Sequence, residues 1–83
     1  MYGAGDMGHD YYRQIKETNY CELSAWVDRA FMDYYDNDYK ISSPEEINRI
    51  DFDYVVIAVY GEKIRKDIKR FLITLGVRRE CII

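Results

Sequence analysis

A glycine-rich loop close to the first residue constrains the fold of this chain more than any other feature. Residues 3–8, with the sequence GAGDMG, have the spacing G-x-G-x-x-G, and a helical pattern follows them directly. In such a loop the first glycine permits a tight turn, the second lets the backbone approach a diphosphate, and the third lets the helix pack closely. The free N–H groups at the start of the helix are then placed to receive an anion.

The first helix is predicted from its apolar stripe and the second from its start signal. Apolar residues at every fourth position predict a helix over 6–18 that stops at Asn19; they are Met7, Tyr11 and Ile15. A short helix is predicted to begin after Ser43, because Pro44 then occupies the first helical position and Glu46 closes a capping box. Its buried side would comprise Ile47 and Ile50.

A third helix is predicted over 62–75, before Gly76, which is a common residue at helix ends. Its apolar face comprises Ile64, Ile68, Phe71, Leu72 and Leu75. The opposite face is basic and is predicted to be solvated; it comprises Lys63, Arg65, Lys66, Lys69 and Arg70.

Three segments are predicted to be β-strands. Residues 21–27 alternate between apolar and polar, and residues 80–83 begin a last apolar segment. Residues 53–59 are apolar almost throughout, which is typical of a strand covered on both faces. Residues 29–43 are polar and rich in tyrosine, so we expect a loop there, with room for a short edge strand at 39–41.

This alternation of helices and strands predicts an α/β fold, a parallel sheet with helices on both faces and right-handed crossovers. Only Met1 and Tyr2 precede Gly3, although a strand of about five residues should feed the loop. We therefore expect the sheet to lack most of its first, central strand, so that its two neighbours lose a shared hydrogen-bonding partner. Residues 1–83 are predicted to be one domain and a fragment of a larger protein.

The candidate binding residues surround the glycine loop. Asp28 ends the predicted strand about 20 residues after the loop, where a carboxylate accepts hydrogen bonds from the ribose and favours NAD over NADP. Arg29 could contact a 2′-phosphate, and Ala58 could leave room for adenine or ribose. The alternatives are a turn role for Asp28, an exposed Arg29 and simple packing by Ala58. The complete candidate set is Gly3, Ala4, Gly5, Asp6, Met7, Gly8, Asp28, Arg29, Ala58 and Val59.

Composition excludes several other classes. The net charge of -3 argues against a general nucleic-acid binder, and no run of about 18 apolar residues is present to span a membrane. A single histidine makes a metal site improbable. Cys21 and Cys81 lack a C-x-x-C spacing, so we expect two buried, reduced thiols in a cytoplasmic protein.

Five segments carry a family resemblance. They are residues 2–8 (YGAGDMG), 25–28 (AWVD), 41–47 (ISSPEEI), 53–59 (DYVVIAV) and 75–77 (LGV). Together they make the chain similar to the small Rossmann-type modules of bacterial surface-polysaccharide biosynthesis. Modules of that kind open sugar acyltransferases, accompany some methyltransferases and glycosyltransferases, and precede the catalytic domain of nucleotide-sugar dehydratases and epimerases.

The resemblance implies a non-catalytic module that binds an NAD-like dinucleotide or a nucleotide-sugar, with catalysis supplied by a separate domain. No complete catalytic site is predicted in this chain. Three alternatives stay open: a truncated NAD-dependent oxidoreductase domain, a ligand-free interaction module, and a methyltransferase-like domain that binds S-adenosylmethionine. The position of Gly8 argues against the last of these. Besides the ligand, the expected partners are a catalytic domain or further copies of the chain.

Overall fold

The computed structural model describes residues 1–34 and 38–83. Two α-helices, α1 (Asp6–Thr18) and α2 (Glu62–Thr74), account for most of the regular structure. Extended segments and three short 3₁₀ helices make up much of the remainder. The 3₁₀ helices are Phe31–Tyr34, Pro44–Arg49 and Arg79–Cys81. Residues 35–37, which belong to the loop predicted over 29–43, lie outside the described residues.

Both α-helices confirm the helices predicted from apolar periodicity. Helix α1 ends at Asn19, whose left-handed conformation (φ 56°) and N–H bond to the Ile15 carbonyl (2.7 Å) form a C-terminal cap. Helix α2 ends one residue earlier than predicted, and Gly76 follows with φ 105°. Ile64, which was assigned to the buried face of α2, is instead 53% exposed. In the part of the chain that the structure describes, no helix is long and apolar enough to cross a bilayer.

The predicted α/β parallel sheet is wrong. No continuous strand forms in residues 1–34 and 38–83, where the extended segments meet only at isolated one-residue bridges. All four bridges are parallel, and they join Tyr2 to Val27, Tyr2 to Ile57, Val27 to Ser42, and Val55 to Ile82. The Rossmann-type sheet that the resemblance implied is therefore absent from the described residues, which are mostly helical.

The central segment explains why the bridges stay isolated. On one side, the Val27 N–H donates to the Met1 carbonyl (2.9 Å) and the Gly3 N–H donates to the Val27 carbonyl (2.8 Å). On the other side, the Tyr2 N–H donates to Val56 and the Ala58 N–H donates to Tyr2, both at 2.8 Å. Because the backbone turns at Gly3 (φ 121°), the pairing ends after one bridge on each side.

The same bonds correct the expectation that the two neighbouring segments lose their shared partner. The backbone of residues 1–3 bonds to both of them, with one bridge on each side. The strand predicted over 21–27 reduces to a single bridging residue, Val27. The strand predicted over 80–83 reduces to Ile82, because Arg79–Cys81 coils into a 3₁₀ turn.

Burial also departs from the prediction along the extended segments. In the segment predicted over 53–59, Val55, Ile57 and Ala58 are buried, whereas Tyr54 is 62% exposed, so only the later part of this segment is covered on both faces. Cys21 and Cys81 are both free thiols, but Cys21 is exposed and Cys81 half-buried, so the predicted burial of both is wrong.

The helix predicted to begin after Ser43 forms as the 3₁₀ helix Pro44–Arg49 rather than as an α-helix. The Ser43 hydroxyl caps it by accepting from the Glu45 N–H at 3.3 Å, and the same hydroxyl donates to the Glu45 carboxylate. The capping partner is therefore Glu45 and not Glu46. Ile47 is buried as predicted, at 5% exposure.

Trp26 and Val27 place the two α-helices on opposite sides of the extended segments. Val27 is fully buried in the main core, to which α2 contributes Leu72. Trp26 instead stacks on Tyr12 of α1, with ring centroids 5.0 Å apart. Consecutive side chains of an extended segment point in opposite directions, so α1 and α2 pack on opposite sides of it. The core cluster comprises Tyr2, Val27, Ile47, Val55, Ile57, Leu72 and Val77.

The core makes a testable prediction about two neighbours on α2. Leu72 is fully buried, whereas Ile73 is 37% exposed. Leu72→Ala should lower the free energy of unfolding by about 2–5 kcal/mol, because it removes buried methyl groups and leaves a cavity. Ile73→Ala is the matched control and should cost less than about 1 kcal/mol. Urea denaturation followed by circular dichroism measures both, and equal losses would show that α2 packs through a different face.

Candidate functional site

Gly3 is required by the packing of the loop against a neighbouring segment. Its φ of 121° lies where side chains are rarely found. A Cβ added there would lie 2.5 Å from the Ala58 carbonyl oxygen and 2.9 Å from Cγ2 of Val59. The structure therefore brings Ala58 and Val59 against the loop, as the sequence predicted. Ala58 is only 2% exposed, however, so its side chain packs inside the domain, and contact with a ligand stays a prediction.

Gly8 is required by the packing of α1 against the loop. It is buried in the first turn of the helix, and a Cβ added to it would overlap the Gly3 carbonyl group. This close approach is the role that the third glycine of the spacing was predicted to have. The steric reasons for Gly3 and Gly8 are thus contained in the chain itself.

Gly5 differs because nothing in the chain requires it to be glycine. It is the N-cap of α1, with an ordinary extended backbone (φ -83°, ψ -159°), and a Cβ added to it would meet no atom within 4 Å. No side chain of the described residues caps the helix at this end. Gly5 and Asp6 are exposed and Met7 is half-buried, so the residues that begin α1 border open space, and the first N–H groups of an α-helix have no partner within the helix.

Asp28 lies against the loop, where the sequence predicted it. One carboxylate oxygen accepts from the Ala4 N–H and the other from the Ala30 N–H, each at 2.7 Å. The Ala4 N–H is therefore already bonded, and Ala4 is 1% exposed. Contrary to the prediction, Ala4 is not available to bind an anion. A carboxylate has about four acceptor positions, so Asp28 retains capacity for further donors.

Trp26 is a contributor that the sequence analysis missed. Its indole N–H donates to the Gly3 carbonyl at 2.6 Å in a buried hydrogen bond. Its ring belongs to a cluster with His9, Tyr12 and Tyr39, whose centroids lie 4.9–5.5 Å from it. His9 thus packs against Trp26.

Burial and nearby charged groups shift the pKa values of two tyrosines, Tyr34 and Tyr2. Partial burial, followed by the carboxylates of Asp28, Asp33 and Asp6, raises the pKa of Tyr34 above its ordinary value. Burial also raises the pKa of Tyr2, and Arg29 partly opposes this. Arg29 itself is exposed, so its contact with a 2′-phosphate stays a prediction.

Arg65 was predicted to lie on a solvated face, but its guanidinium folds against the backbone. Its Nη1 donates to the carbonyls of Ile57 (2.5 Å) and Val59 (3.2 Å). The position of Arg65 on α2 therefore serves to satisfy backbone groups at the end of an extended segment. This correction applies to one of the five basic residues of that predicted face.

Two open grooves lie away from the glycine loop. They have volumes of about 820 and 760 Å³, share residues 21–25 as a common wall, and include no residue of 3–8. An anion held by exposed N–H groups at a helix terminus does not need an enclosed cavity, so the grooves do not decide where a ligand binds. Among the residues described, no cluster of His, Cys, Asp or Glu could hold a metal ion.

The fold and the site together define a small two-helix domain with an open glycine loop at the N-terminus of its first helix. One comparison with known proteins, with the models of protein families, gives a match. The whole chain, residues 1–83, matches the family described as "C2185-like, N-terminal", and the chain belongs to that family. No curated protein and no solved structure matches it.

The three glycines of the loop should respond differently to alanine. Gly3→Ala and Gly8→Ala should each lower the free energy of unfolding by more than about 1 kcal/mol, since one strains the backbone and the other overlaps Gly3. Gly5→Ala should change it by less than about 0.5 kcal/mol, because its Cβ meets only solvent. Thermal unfolding of the three variants provides the comparison. A Gly5→Ala loss as large as the other two would refute the open space at this position.

Proposed function

We propose that the chain binds a nucleotide with a diphosphate, of the NAD or nucleotide-sugar class, at the N-terminus of α1. The observation that carries the proposal is the contrast among the glycines. Gly3 and Gly8 have steric reasons within the chain, whereas Gly5 faces open space in an ordinary conformation. A glycine without an internal reason is what close approach of a ligand to the backbone requires.

In this proposal, two sets of protein groups bind different parts of the ligand. The diphosphate rests on the N–H groups that begin α1, from Gly5 to Met7, where the helix dipole favours negative charge. The ribose hydroxyls donate to Asp28, whose carboxylate is already oriented by the N–H groups of Ala4 and Ala30. Because the Ala4 N–H already bonds to Asp28, the proposed anion site comprises fewer residues than the predicted range 3–8.

The sizes of the interaction energies at this site favour a nucleotide over inorganic phosphate as the ligand. The dipole at a helix N-terminus is worth about 0.3–1 kcal/mol to an anion. The exposed Asp6 carboxylate in the first turn repels an anion, and two charges about 4 Å apart in water repel by about 1 kcal/mol. These two contributions nearly cancel. The net affinity must therefore come from groups that inorganic phosphate lacks, above all the ribose hydroxyls that donate hydrogen bonds to Asp28. Each such charge-assisted hydrogen bond is worth about 1.5–3 kcal/mol.

The wider role in this proposal is that of a non-catalytic module in a cytoplasmic, sugar-modifying protein of surface-polysaccharide biosynthesis. The support is the sequence resemblance, together with a family description that specifies an N-terminal part. The free state of Cys21 and Cys81 is in keeping with a reducing compartment.

A second candidate is an interaction module without a nucleotide, as the sequence analysis also allowed. It is favoured by the groove of about 760 Å³, whose lining includes Tyr20 and Tyr54. These side chains are 65% and 62% exposed, and exposed apolar side chains that line a common groove are a feature of protein interaction sites. This candidate predicts that no nucleotide changes the thermal stability of the chain.

A thermal-shift panel separates the two candidates. The ligands are NAD, NADP, a UDP-sugar, coenzyme A, S-adenosylmethionine and inorganic phosphate. We expect NAD or the UDP-sugar to raise the Tm and phosphate to leave it unchanged. If no nucleotide raises the Tm, the nucleotide proposal is wrong and the interaction module is preferred.

Two variants locate the ligand that the panel identifies. Gly5→Val should abolish its binding by filling the space above the N–H groups, and Asp28→Asn should weaken it by about 10–100-fold through loss of a charged acceptor. Asp53→Asn, an exposed carboxylate in a groove away from the loop, is the matched control and should bind normally. Isothermal titration calorimetry measures all three. Unchanged affinity in Gly5→Val would place the ligand elsewhere.

A further inference from the structure

One peptide unit of the loop is held from both of its edges. The Gly3 carbonyl accepts from the indole N–H of Trp26 at 2.6 Å, and the Ala4 N–H donates to the Asp28 carboxylate at 2.7 Å. A trans peptide unit is planar and its C=O and N–H point in opposite directions. A rotation of this unit would therefore break both bonds together.

The two side chains that hold this unit come from a single extended segment. Trp26 and Asp28 are two residues apart, on either side of Val27, which bridges to Tyr2. Side chains at positions i and i+2 of an extended segment point to the same side. The segment thus presents one donor and one acceptor to the same side, where the loop peptide lies between them.

From this geometry we infer that Trp26 is a positioning residue of the binding site. Its indole N–H fixes the Gly3–Ala4 peptide, and the fixed Ala4 N–H in turn holds the Asp28 carboxylate in the orientation that receives a ligand's hydroxyls. Trp26 is 4% exposed, so it acts through the loop and not by contact with the ligand. This role rests on the proposed function for its effect on affinity, but its effect on the loop is independent of any ligand.

The aromatic cluster keeps the indole in place for this role. Tyr12 stacks on Trp26 at an interplanar angle of 14°, and His9 and Tyr39 meet it edge-on. The Lys16 ammonium lies over the Tyr12 ring, 5.4 Å from its centroid. The rings contact one another, which supports a positioning role for the cluster.

Because the chain contains a single tryptophan, analogues incorporated during expression change Trp26 alone. Benzothienylalanine replaces the indole N–H with sulfur at nearly the same shape and removes only the donor. 5-Fluorotryptophan keeps the N–H and is the matched control. Two quantities are measured for each protein: hydrogen exchange of backbone amides by NMR, and affinity for the nucleotide identified by the thermal-shift panel.

With the sulfur analogue, we expect exchange of the Ala4 amide to accelerate roughly five- to tenfold, the order expected for one lost hydrogen bond. The Val55 amide, which bonds to the Cys81 carbonyl, should be unchanged, since a global loss of stability would accelerate both. Nucleotide affinity should fall by a similar factor, and 5-fluorotryptophan should restore both values.

Unchanged Ala4 exchange in the sulfur analogue, or equal acceleration at Ala4 and Val55, would overturn the positioning role. If Ala4 alone accelerates but affinity for a bound nucleotide is unchanged, the link from Trp26 to Asp28 is wrong. If Ala4 alone accelerates and no nucleotide binds even the natural chain, Trp26 still positions the loop and the proposed function is the part that fails.

Discussion

The backbone hydrogen bonds of residues 1–3 are the constraint on which the rest of the structure depends. This short segment bonds on one side to Val27 and on the other to Val56 and Ala58. It therefore sets the distance between two segments that would otherwise have no common partner. It also delivers the chain to Gly3, whose positive φ turns the backbone into the loop and α1. The positions of the core, the loop and the first helix therefore all depend on these hydrogen bonds.

The loop combines internal packing with an open terminus. Gly3 and Gly8 allow the loop to lie against its neighbours, while Trp26 and Asp28 hold the peptide between Gly3 and Ala4. These contacts order the loop without any ligand, so little conformational entropy remains to be lost on binding. What they leave open is the space above Gly5. In the proposed function, the nearby carboxylates would favour ligands that bring hydrogen-bond donors as well as negative charge.

Local signals in the sequence were sufficient for the two α-helices but not for the extended segments. The bounds of α1 follow from its apolar stripe and from Asn19, both of which act within a few residues. The predicted sheet is wrong because pairing between distant segments depends on the backbone path of each, and the turn at Gly3 ends the pairing of residues 1–3 after one bridge on each side. At the site, the position of Asp28 was predictable from spacing. The hydrogen bond from Trp26 to Gly3 joins residues 23 apart and was not.

The central claim is that a nucleotide binds across the first N–H groups of α1 and the Asp28 carboxylate. The most direct measurement is a ¹⁵N NMR titration of the natural chain with ADP-ribose, which carries both a diphosphate and ribose hydroxyls. We expect saturable shifts of the Gly5, Asp6 and Met7 amides and of the Ala4 and Ala30 amides that bond to Asp28. Saturable shifts confined to the grooves beside residues 21–25, or no shifts at millimolar ligand, would contradict it.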